Sequence, residues 1–589
     1  MYSASLEFRG FPYPGGCEAG YSRHCLQLHV AAELKHVSPA LWSFCTKYDN
    51  FAAQQNGGII ERVVEEDPAS KESLNLIEQW IRKCNDNHEY CSQTGPPPLP
   101  TRVVDIGEGA EPAPRLLVTN KKHGYYTTLS YIWGGPISKR TTMSCFESYC
   151  NSIPLETLPK SFRDAARITK ALGIRYLWID ALCIIQDSKE DWENECPQMC
   201  SIYQNSYITI AAPSSPSAEA GFLQRRSEPI CLPYYDSERT LAGEMWLQVG
   251  RNNFPEGALL RDRGWVLQEE VFSRRTIFFG IEQNYFECYE NIHYDYSALR
   301  EQVKTPNKPD LKLLYESGSD KGGGIWSDIV QAYSPRSLTF PTDKLAALSG
   351  IAKAFSLATG YHYLAGHWRE NLIPSLTWRK SLRNRNKVFR LNDTYKAPSW
   401  SWASVDGDID FPRWKPGDRS NSGSPELVDV SVDLAGSDPF GQVSSGSLTI
   451  RAKVKMAKMR PRTSDSGPVL YEIREQGFEN SLGNAIMDCK VYETYAWTLY
   501  CIQVCVFTNK AYPTSSVVLL RRAGSVDRGS EVRYQRVGHA WIDKSDFKGA
   551  PRISLFYSPD GKLVPEQLKG TEFEKDWFDD AEVQTICII

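Results

Sequence analysis

The sequence predicts an α/β protein in which a doubly wound sheet follows a helical N-terminal segment and precedes a β-rich C-terminal region. Strand-like and helix-like patterns alternate between residues 125 and 212, which is typical of a sheet with crossover helices. Residues 176–179 form a nearly continuous apolar run, as in a strand covered on both faces. After Trp402 the chain becomes rich in Gly, Ser and Asp and then strand-like.

The first predicted element is a helix in the N-terminal segment, residues 1–98. Apolar residues, cysteines and a histidine recur there at alternating spacings of three and four, at Leu74, Ile77, Ile81, Cys84, His88 and Cys91. This spacing places them on one helix face. Gly95 and the prolines that follow it end the helix and mark a domain boundary.

The predicted α/β domain, residues 99–300, then reads as strand, helix, strand, helix, strand. The ranges are residues 125–133, 160–172, 174–185, 187–203 and 206–212. β-branched and aromatic residues mark the first strand, and Gly173 follows the first helix where a C-terminal glycine belongs. Pro197 lies inside the second helix, which it either kinks or begins.

Two further regions are predicted downstream, a mixed helical extension over residues 301–404 and a β-rich region over residues 405–589. The extension contains a polar, Gly-rich insertion at 304–324 and a helix at 345–357. The β-rich region contains strand-like runs at residues 448–454, 495–507, 517–520 and 534–541.

The charge composition gives no reason to expect a nucleic-acid partner. The 67 basic and 71 acidic residues leave a net charge of −4, which provides no global field for a polyanion. Residues 1–10 lack the apolar core of a secretory signal, and no run of ~18 apolar residues predicts a membrane span. Sixteen cysteines without a Cys-x-x-Cys pair then favour a cytoplasmic chain with reduced thiols.

Several common catalytic motifs are absent from the sequence. It contains no phosphate-binding Gly-x4-Gly-Lys-Ser/Thr, no Gly-x-Ser-x-Gly and no His-Glu-x-x-His. Gly107 and Gly109 lack the third glycine of a dinucleotide fingerprint. These absences disfavour P-loop nucleotide hydrolysis, α/β-hydrolase chemistry and zinc-peptidase chemistry.

Cys84, His88 and Cys91 have the residue types of a metal site but lie on the predicted apolar helix face. Zinc normally takes four ligands, and the fourth would have to be Cys17, His24, Cys25 or His29. Because cysteine is among the residue types most often buried, we expect the three side chains to pack without zinc.

An acidic cluster follows the buried run at residues 176–179. Asp180 lies at the carboxyl end of this strand, where open α/β sheets bind ligands, and Gln186 follows it. The carboxylates that follow Gln186 are open to the interpretation that they cap the first turn of a helix and are exposed to solvent. Glu195 differs because it shares a helix face with Trp192, Met199 and Tyr203. We therefore expect Asp180 and Glu195 to face one cleft.

A charge-dense segment at residues 261–270 contains four more candidate site residues, Arg263, Trp265, Gln268 and Glu269. One interpretation is an ion-pair network around a buried tryptophan. The alternative is a cleft for an anion or a nucleotide, because guanidinium groups bind phosphates in a bidentate manner. The sequence leaves both open.

Three blocks of the sequence resemble the fungal HET (heterokaryon incompatibility) domain. They are residues 129–134 (LSYIWG), 158–212 (containing YLWIDALCIIQDSKEDWENE) and 263–269 (RGWVLQE). The resemblance also includes the segment that precedes the domain, residues 84–102, and motifs downstream at 343–350, 365–368, 397–402 and 536–538. It therefore covers most of residues 74–541.

The resemblance implies a role in non-self recognition and programmed cell death when unlike fungal cells fuse. It also implies a flavodoxin-like sheet similar to that of the TIR domain, and some TIR domains hydrolyse NAD with one glutamate on a helix. By the order of the blocks, Glu195 corresponds to that glutamate, with Ser130 and Trp133 lining the ribose and base side. NAD is then a substrate, and no cofactor is expected.

Two other functions remain open. One is a non-catalytic signalling module that self-associates or binds a recognition protein, with the C-terminal region regulating it. The other is a HET-like enzyme recruited to small-molecule biosynthesis, in which the many aromatic residues line an apolar pocket.

Overall fold

The chain forms two compact units, residues 1–308 and 309–589. The computed structural model describes residues 42–45, 62–107, 114–235, 241–249, 259–296, 302–303, 322–381, 395–412, 419–420, 424–461, 471–475, 481–488, 498–507, 514–523, 532–543, 556–557, 563–564 and 577–589. Within these ranges no helix combines the length and the apolar character needed to cross a membrane.

The first unit combines short helices with two sheets. Its described strands are β1 (Trp42–Cys45), β2 (Arg102–Asp105), β3 (Arg115–Val118), β4 (Tyr126–Ser130), β5 (Tyr176–Trp178), β6 (Ile208–Ala211), β7 (Ile230–Tyr235), β8 (Leu241–Val249), β9 (Arg275–Phe279), β10 (Asn284–Cys288), β11 (Asn291–Tyr294) and β12 (Gln302–Val303). Its described helices are α1 (Lys71–Asn87), α2 (Phe146–Asn151), α3 (Lys160–Ala171), α4 (Asp180–Cys183), α5 (Lys189–Glu195), α6 (Met199–Asn205) and α7 (Gly264–Phe272).

The larger sheet has the strand order β12-β11-β10-β9-β6-β4-β5-β2-β3, and β1, β8 and β7 form a separate sheet. The four neighbours β5, β4, β6 and β9 run parallel. Antiparallel strands flank them on both sides. The α/β class is confirmed, and the sheet is mixed because hairpins extend the parallel core.

The strand order of the parallel core reverses at β4. The chain passes from β4 to β5 on one side and then to β6 and β9 on the other. Every residue of β4, β6 and β9 is buried, as in a sheet covered on both faces. Open α/β sheets bind ligands outside the carboxyl ends of their strands at such a reversal, which here lies at the ends of β4 and β6.

Helix α1 is shorter than its apolar pattern indicates. The Ser70 side chain caps it by accepting from the backbone N–H of Ser73 at 3.1 Å, and the helix ends at Asn87 with His88 as C-cap. Cys91 consequently lies in the loop beyond the helix, although the three-four spacing predicted one continuous face.

The predicted strand at residues 174–185 and the predicted helix at 187–203 are both interrupted. Asp180 ends the extended run, because its Oδ1 accepts from the backbone N–H of Ala181 at 2.7 Å and α4 begins there. Pro197 divides the second element into α5 and α6, with a 3-10 turn at Cys196–Gln198 between them. The sequence predicted that Pro197 either kinks the helix or begins it, and the structure shows an interruption of the helix at this residue.

The second unit is β-rich, as predicted. Its described strands are β13 (Tyr363–Leu364), β14 (His367–Trp368), β15 (Arg379–Lys380), β16 (Ile409–Asp410), β17 (Arg419–Ser420), β18 (Glu426–Leu434), β19 (Val443–Pro461), β20 (Tyr471–Glu475), β21 (Ser481–Met487), β22 (Thr498–Phe507), β23 (Thr514–Arg522), β24 (Arg533–Asp543), β25 (Phe556–Tyr557), β26 (Leu563–Val564) and β27 (Glu582–Ile588). Its described helices are α8 (Gly322–Tyr333), α9 (Ser349–Thr359) and α10 (Leu372–Ser375).

A large sheet with the order β17-β22-β23-β24-β21-β20-β19-β18, to which β27 also pairs, forms most of this unit. The four strand-like runs of the C-terminal region correspond to β19, β22, β23 and β24. Helix α9 corresponds to the helix predicted at residues 345–357. The predicted insertion at 304–324 lies outside the described residues except for its last three, which begin α8.

Candidate functional site

The first part of the candidate site is the end of strand β4. Ser130 is the last residue of this strand, and its Oγ donates a hydrogen bond to Oε2 of Glu269 on α7. Both side chains are buried. The contact joins residues separated by 139 positions in the chain and fixes α7 against the carboxyl end of β4.

Asp180 occupies the equivalent position after β5 and is joined to the chain that leaves β4. Its Oδ1 accepts from the Tyr131 hydroxyl at 2.7 Å, and its Oδ2 accepts from Nε1 of Trp133 at 2.9 Å. Strand β5 lies between β4 and β2, parallel to β4 and antiparallel to β2, so Asp180 follows an interior strand of the sheet.

Glu269 is a carboxyl group whose protonation is balanced near neutral pH. Burial raises its pKa from 4.5 to about 7, and the negative charge of Asp180 acts in the same direction. Arg263, Ser130 and Tyr203 have the opposite effect, because they favour the ionised form. The nearby Tyr203 hydroxyl also donates to the carbonyl of Leu129 at 3.3 Å. A group with such a pKa can exchange a proton with a reacting molecule.

Arg263 and Trp265 belong to the start of α7. Arg263 is the N-cap residue, and its guanidinium donates to the carbonyl of Tyr131. Trp265 lies one helical turn before Glu269, so both project from the same side of α7. Its half-buried ring packs edge-on to Trp192, with ring centroids 6.5 Å apart.

Glu195 has other partners than Glu269 and Asp180. Its side chain is buried, and Oε1 lies 3.7 Å from Nη2 of Arg102, which also binds both oxygens of Asp191 at 2.6 and 2.7 Å. Burial raises the pKa of Glu195. Among the described residues, the hydrogen bonds and ion pairs of the Glu195 side chain involve other partners than those of Asp180. A common cleft of the two carboxylates stays a prediction.

The two predicted glutamines differ from the other candidates in their surroundings. Nε2 of Gln186 donates to the carbonyls of Asp180 and Ile184, both at 3.0 Å, and closes the turn after α4. Gln268 is buried on α7 next to Glu269.

Tyr131 and Tyr203 belong to the site, but the sequence patterns did not single them out as site residues. Tyr131 comes directly after the last residue of β4, and Tyr203 lies on the apolar stripe of α6. Both positions are typical of packing residues. The available signal was their phenolic hydroxyl, because a fully buried tyrosine normally finds a hydrogen-bond partner.

A second cluster of reactive side chains lies where the end of α1 meets β10. Cys84, His88 and Cys91 are joined there by Cys288, the last residue of β10. All four are buried, and one ligand atom from each lies within 4.8 Å of the others. The candidates for a fourth ligand that the sequence offers, Cys17, His24, Cys25 and His29, lie outside the described residues.

The Ser130–Glu269 cluster coincides with a segment that matches a protein family. Residues 126–269 match the family model described as Heterokaryon incompatibility protein (HET). The chain carries a HET domain. The matched segment begins at the first residue of β4 and ends at Glu269, so the HET domain contains every residue of this cluster.

The HET domain associates the chain with heterokaryon incompatibility. No curated protein and no solved structure matches the chain significantly.

Proposed function

We propose that the HET domain hydrolyses the nicotinamide–ribose bond of NAD as the effector step of a cell-death response to non-self. The observation that carries the proposal is Glu269, a buried carboxyl group held against Ser130 at the carboxyl end of the parallel strands. When the four parallel strands are numbered in chain order, their spatial order in the sheet is 2-1-3-4. This is the beginning of the flavodoxin-like order 2-1-3-4-5. This order supports the TIR-like interpretation of the domain.

The reaction requires one carboxylate rather than two. The nicotinamide of NAD is a cationic pyridinium, so when its bond to the ribose breaks, the electron pair of that bond neutralises the leaving ring and no acid is needed. The ribose passes through an oxocarbenium-like state, which a nearby anion stabilises. Water then forms the new bond to the ribose carbon and releases a proton, giving nicotinamide and ADP-ribose.

We assign the anionic role to Glu269 rather than to Glu195. Ionised Glu269 has Ser130, Tyr203 and Arg263 around it, whereas Glu195 is close to the guanidinium of Arg102. The half-buried rings of Trp133 and Trp265 provide aromatic faces for the bases of a dinucleotide. Arg263 provides a cation for its phosphates.

The experiment incubates the full chain with NAD in ¹⁸O-labelled water and follows nicotinamide release together with the mass of ADP-ribose. We expect one labelled oxygen in each ADP-ribose, because water supplies the new bond. Turnover without the label would replace hydrolysis with transfer to another acceptor.

A second function, a non-catalytic assembly module, is favoured by the burial of the same contact. Ser130 is 4% exposed and Glu269 is 6% exposed, as in a pair that locks α7 to the sheet. In this case the chain self-associates or binds a recognition protein and releases no nicotinamide. Concentration-dependent assembly of a protein that leaves NAD intact would favour this function over hydrolysis.

A further inference from the structure

Four side chains that commonly bind zinc converge at the junction of α1 with the sheet. Cys84 lies in the last turn of α1, His88 is its C-cap, Cys91 lies in the following loop and Cys288 ends β10. Nδ1 of His88 lies 3.4 Å from Sγ of Cys288, and the four ligand atoms all lie within 4.8 Å of one another.

These distances suit a single tetrahedral ion. Zinc–sulfur bonds of ~2.3 Å and zinc–nitrogen bonds of ~2.0 Å place neighbouring ligand atoms about 3.5–3.8 Å apart. The cluster reaches this size with side-chain movements of about 1 Å or less, within the variation that rotamers allow. Soft thiolates with imidazole in tetrahedral geometry select zinc.

The charge next to the cluster matches that of a zinc complex. Three thiolates, one neutral imidazole and Zn²⁺ carry a net charge of −1. Arg275 is fully buried beside them, and its Nε donates to Sγ of Cys84 at 3.3 Å. Among the described residues, its other acceptors are the Asn85 side chain and the carbonyls of Cys91 and Tyr207, with no carboxylate.

A buried guanidinium needs a nearby negative charge, because an unpaired ion in the interior is strongly destabilising. Neutral thiols provide none. A zinc ion with three thiolates provides one negative charge, which is the charge that Arg275 lacks among its described partners.

Outer hydrogen bonds orient two of the four ligands. Nε2 of His88 lies 3.0 Å from the side-chain amide of Asn291. The oxygen and nitrogen of such an amide are assigned from the surrounding network, and with its oxygen toward the ring it accepts the Nε2 proton and leaves Nδ1 free for a metal. The backbone N–H of Asn291 donates to Sγ of Cys288 at 3.3 Å.

We propose that Cys84, His88, Cys91 and Cys288 bind one structural zinc ion that fastens α1 to β10. Four protein ligands leave no open coordination position, which distinguishes a structural site from a catalytic one. The thiols release their protons to solvent as the ion binds. The sequence favoured packing without zinc because the three residues lie on one apolar helix face, and Cys288, 200 residues after His88, gives no local signal of a fourth ligand.

The test measures metal content of the full chain, purified without chelator, by elemental analysis. We expect about one zinc per chain in the parent and a loss of most of it in a Cys288→Ser variant. The matched control is Cys501→Ser, which removes an equally buried cysteine of the second unit and should retain the zinc.

A second measurement does not depend on a variant that folds. The parent is loaded with Co²⁺ in place of zinc, and its absorption spectrum is recorded. We expect visible bands of tetrahedral cobalt together with thiolate-to-cobalt charge transfer. The proposal is overturned by a parent that binds neither metal, by a disulfide between Cys84 and Cys91 in the purified chain, or by full zinc retention in Cys288→Ser.

Discussion

Burial of Glu269 against Ser130 makes the charge of this side chain sensitive to pH near neutrality. Its pKa is about 7 in the folded chain and near 4.5 when exposed. The folded state therefore holds a proton that the unfolded state has already lost between these pH values. Because the folded state binds more protons there, the free energy of unfolding falls as pH rises from about 4.5 to 7.

We expect a Glu269→Gln variant to lack this loss of stability. From pH 5 to 8 the parent should lose about 2–3 kcal/mol more unfolding free energy than the variant, since one pKa unit corresponds to about 1.4 kcal/mol. Urea unfolding of both proteins at the two pH values measures the difference. Parallel pH dependences would show that Glu269 is not the buried, proton-binding group described here.

The same ionisation sets the expected pH profile of NAD hydrolysis. Only ionised Glu269 stabilises positive charge on the ribose, so kcat/KM should rise with pH and level off above about 7, the pKa of the free enzyme. The measurement is the initial rate of nicotinamide release between pH 5 and 9. A rate that falls over this range would require a protonated Glu269.

Arg102 illustrates how burial decides the contribution of an ion pair. Its guanidinium is buried, donates to the carbonyl of Cys183 at 2.6 Å and binds Asp191, with Glu195 close by. Removing one partner of such a network leaves carboxylates buried without their cation.

We therefore expect Arg102→Met to lower the unfolding free energy by about 3–5 kcal/mol. Arg167→Met is the matched control, because Arg167 pairs with Asp67 on the surface at 3.3 Å and exposed pairs contribute about 1 kcal/mol or less. Urea titration of both variants measures the two values. Similar losses in both would contradict the structural role of Arg102.

At the scale of elements, the loop after β4 depends on a glycine. Gly134 has a φ of 72°, and a Cβ atom there would lie 2.2 Å from Cβ of Ser217 in the loop after β6. These two loops leave the carboxyl ends of β4 and β6, where the strand order reverses. Their close approach also positions Trp133, which binds Asp180.

Gly134→Ala should accordingly destabilise the chain more than Gly173→Ala. Gly173 has a φ of 71° but open space around its Cβ position, so only the left-handed backbone penalises alanine there, by about 1–2 kcal/mol. We expect a larger loss at Gly134 and, in addition, a reduced rate of NAD hydrolysis. Equal melting temperatures for the two variants would mean that the loops after β4 and β6 can move apart without a loss of unfolding free energy.

At the scale of the whole molecule, the sequence predicts those helices and strands whose formation depends on residues close together in the chain. Local periodicity and turn residues predict the alternation of strands and helices that forms β4, α3, β5 and β6. They also predict the interruption at Pro197 and the main C-terminal strands. The antiparallel flanks of the first sheet did not follow, because strand pairing is determined by packing between distant segments.

The candidate site shows the same division. Asp180 was predicted from its place after an apolar strand, which is a local pattern. The partnership of Ser130 with Glu269, across 139 residues, had no local signal. The glutamate on α5 was consequently preferred by the order of motifs, whereas the fold brings the glutamate on α7 to the end of β4.

The most direct test of the central claim compares NAD hydrolysis by three glutamine variants with that of the parent. Glu269→Gln keeps the size of the side chain and removes its charge. Losing one such electrostatic contact typically lowers kcat about 10²–10³-fold, or about 3–4 kcal/mol. Glu195→Gln tests the alternative glutamate, and Glu193→Gln is the control, since Glu193 pairs with Lys189 on the surface of α5.

We expect nicotinamide release to be lost only in Glu269→Gln, with all four proteins folded by their melting curves. Loss of turnover in Glu195→Gln while Glu269→Gln remains active would return the catalytic role to Glu195. Absence of turnover in the assembled parent would contradict the proposed hydrolysis of NAD.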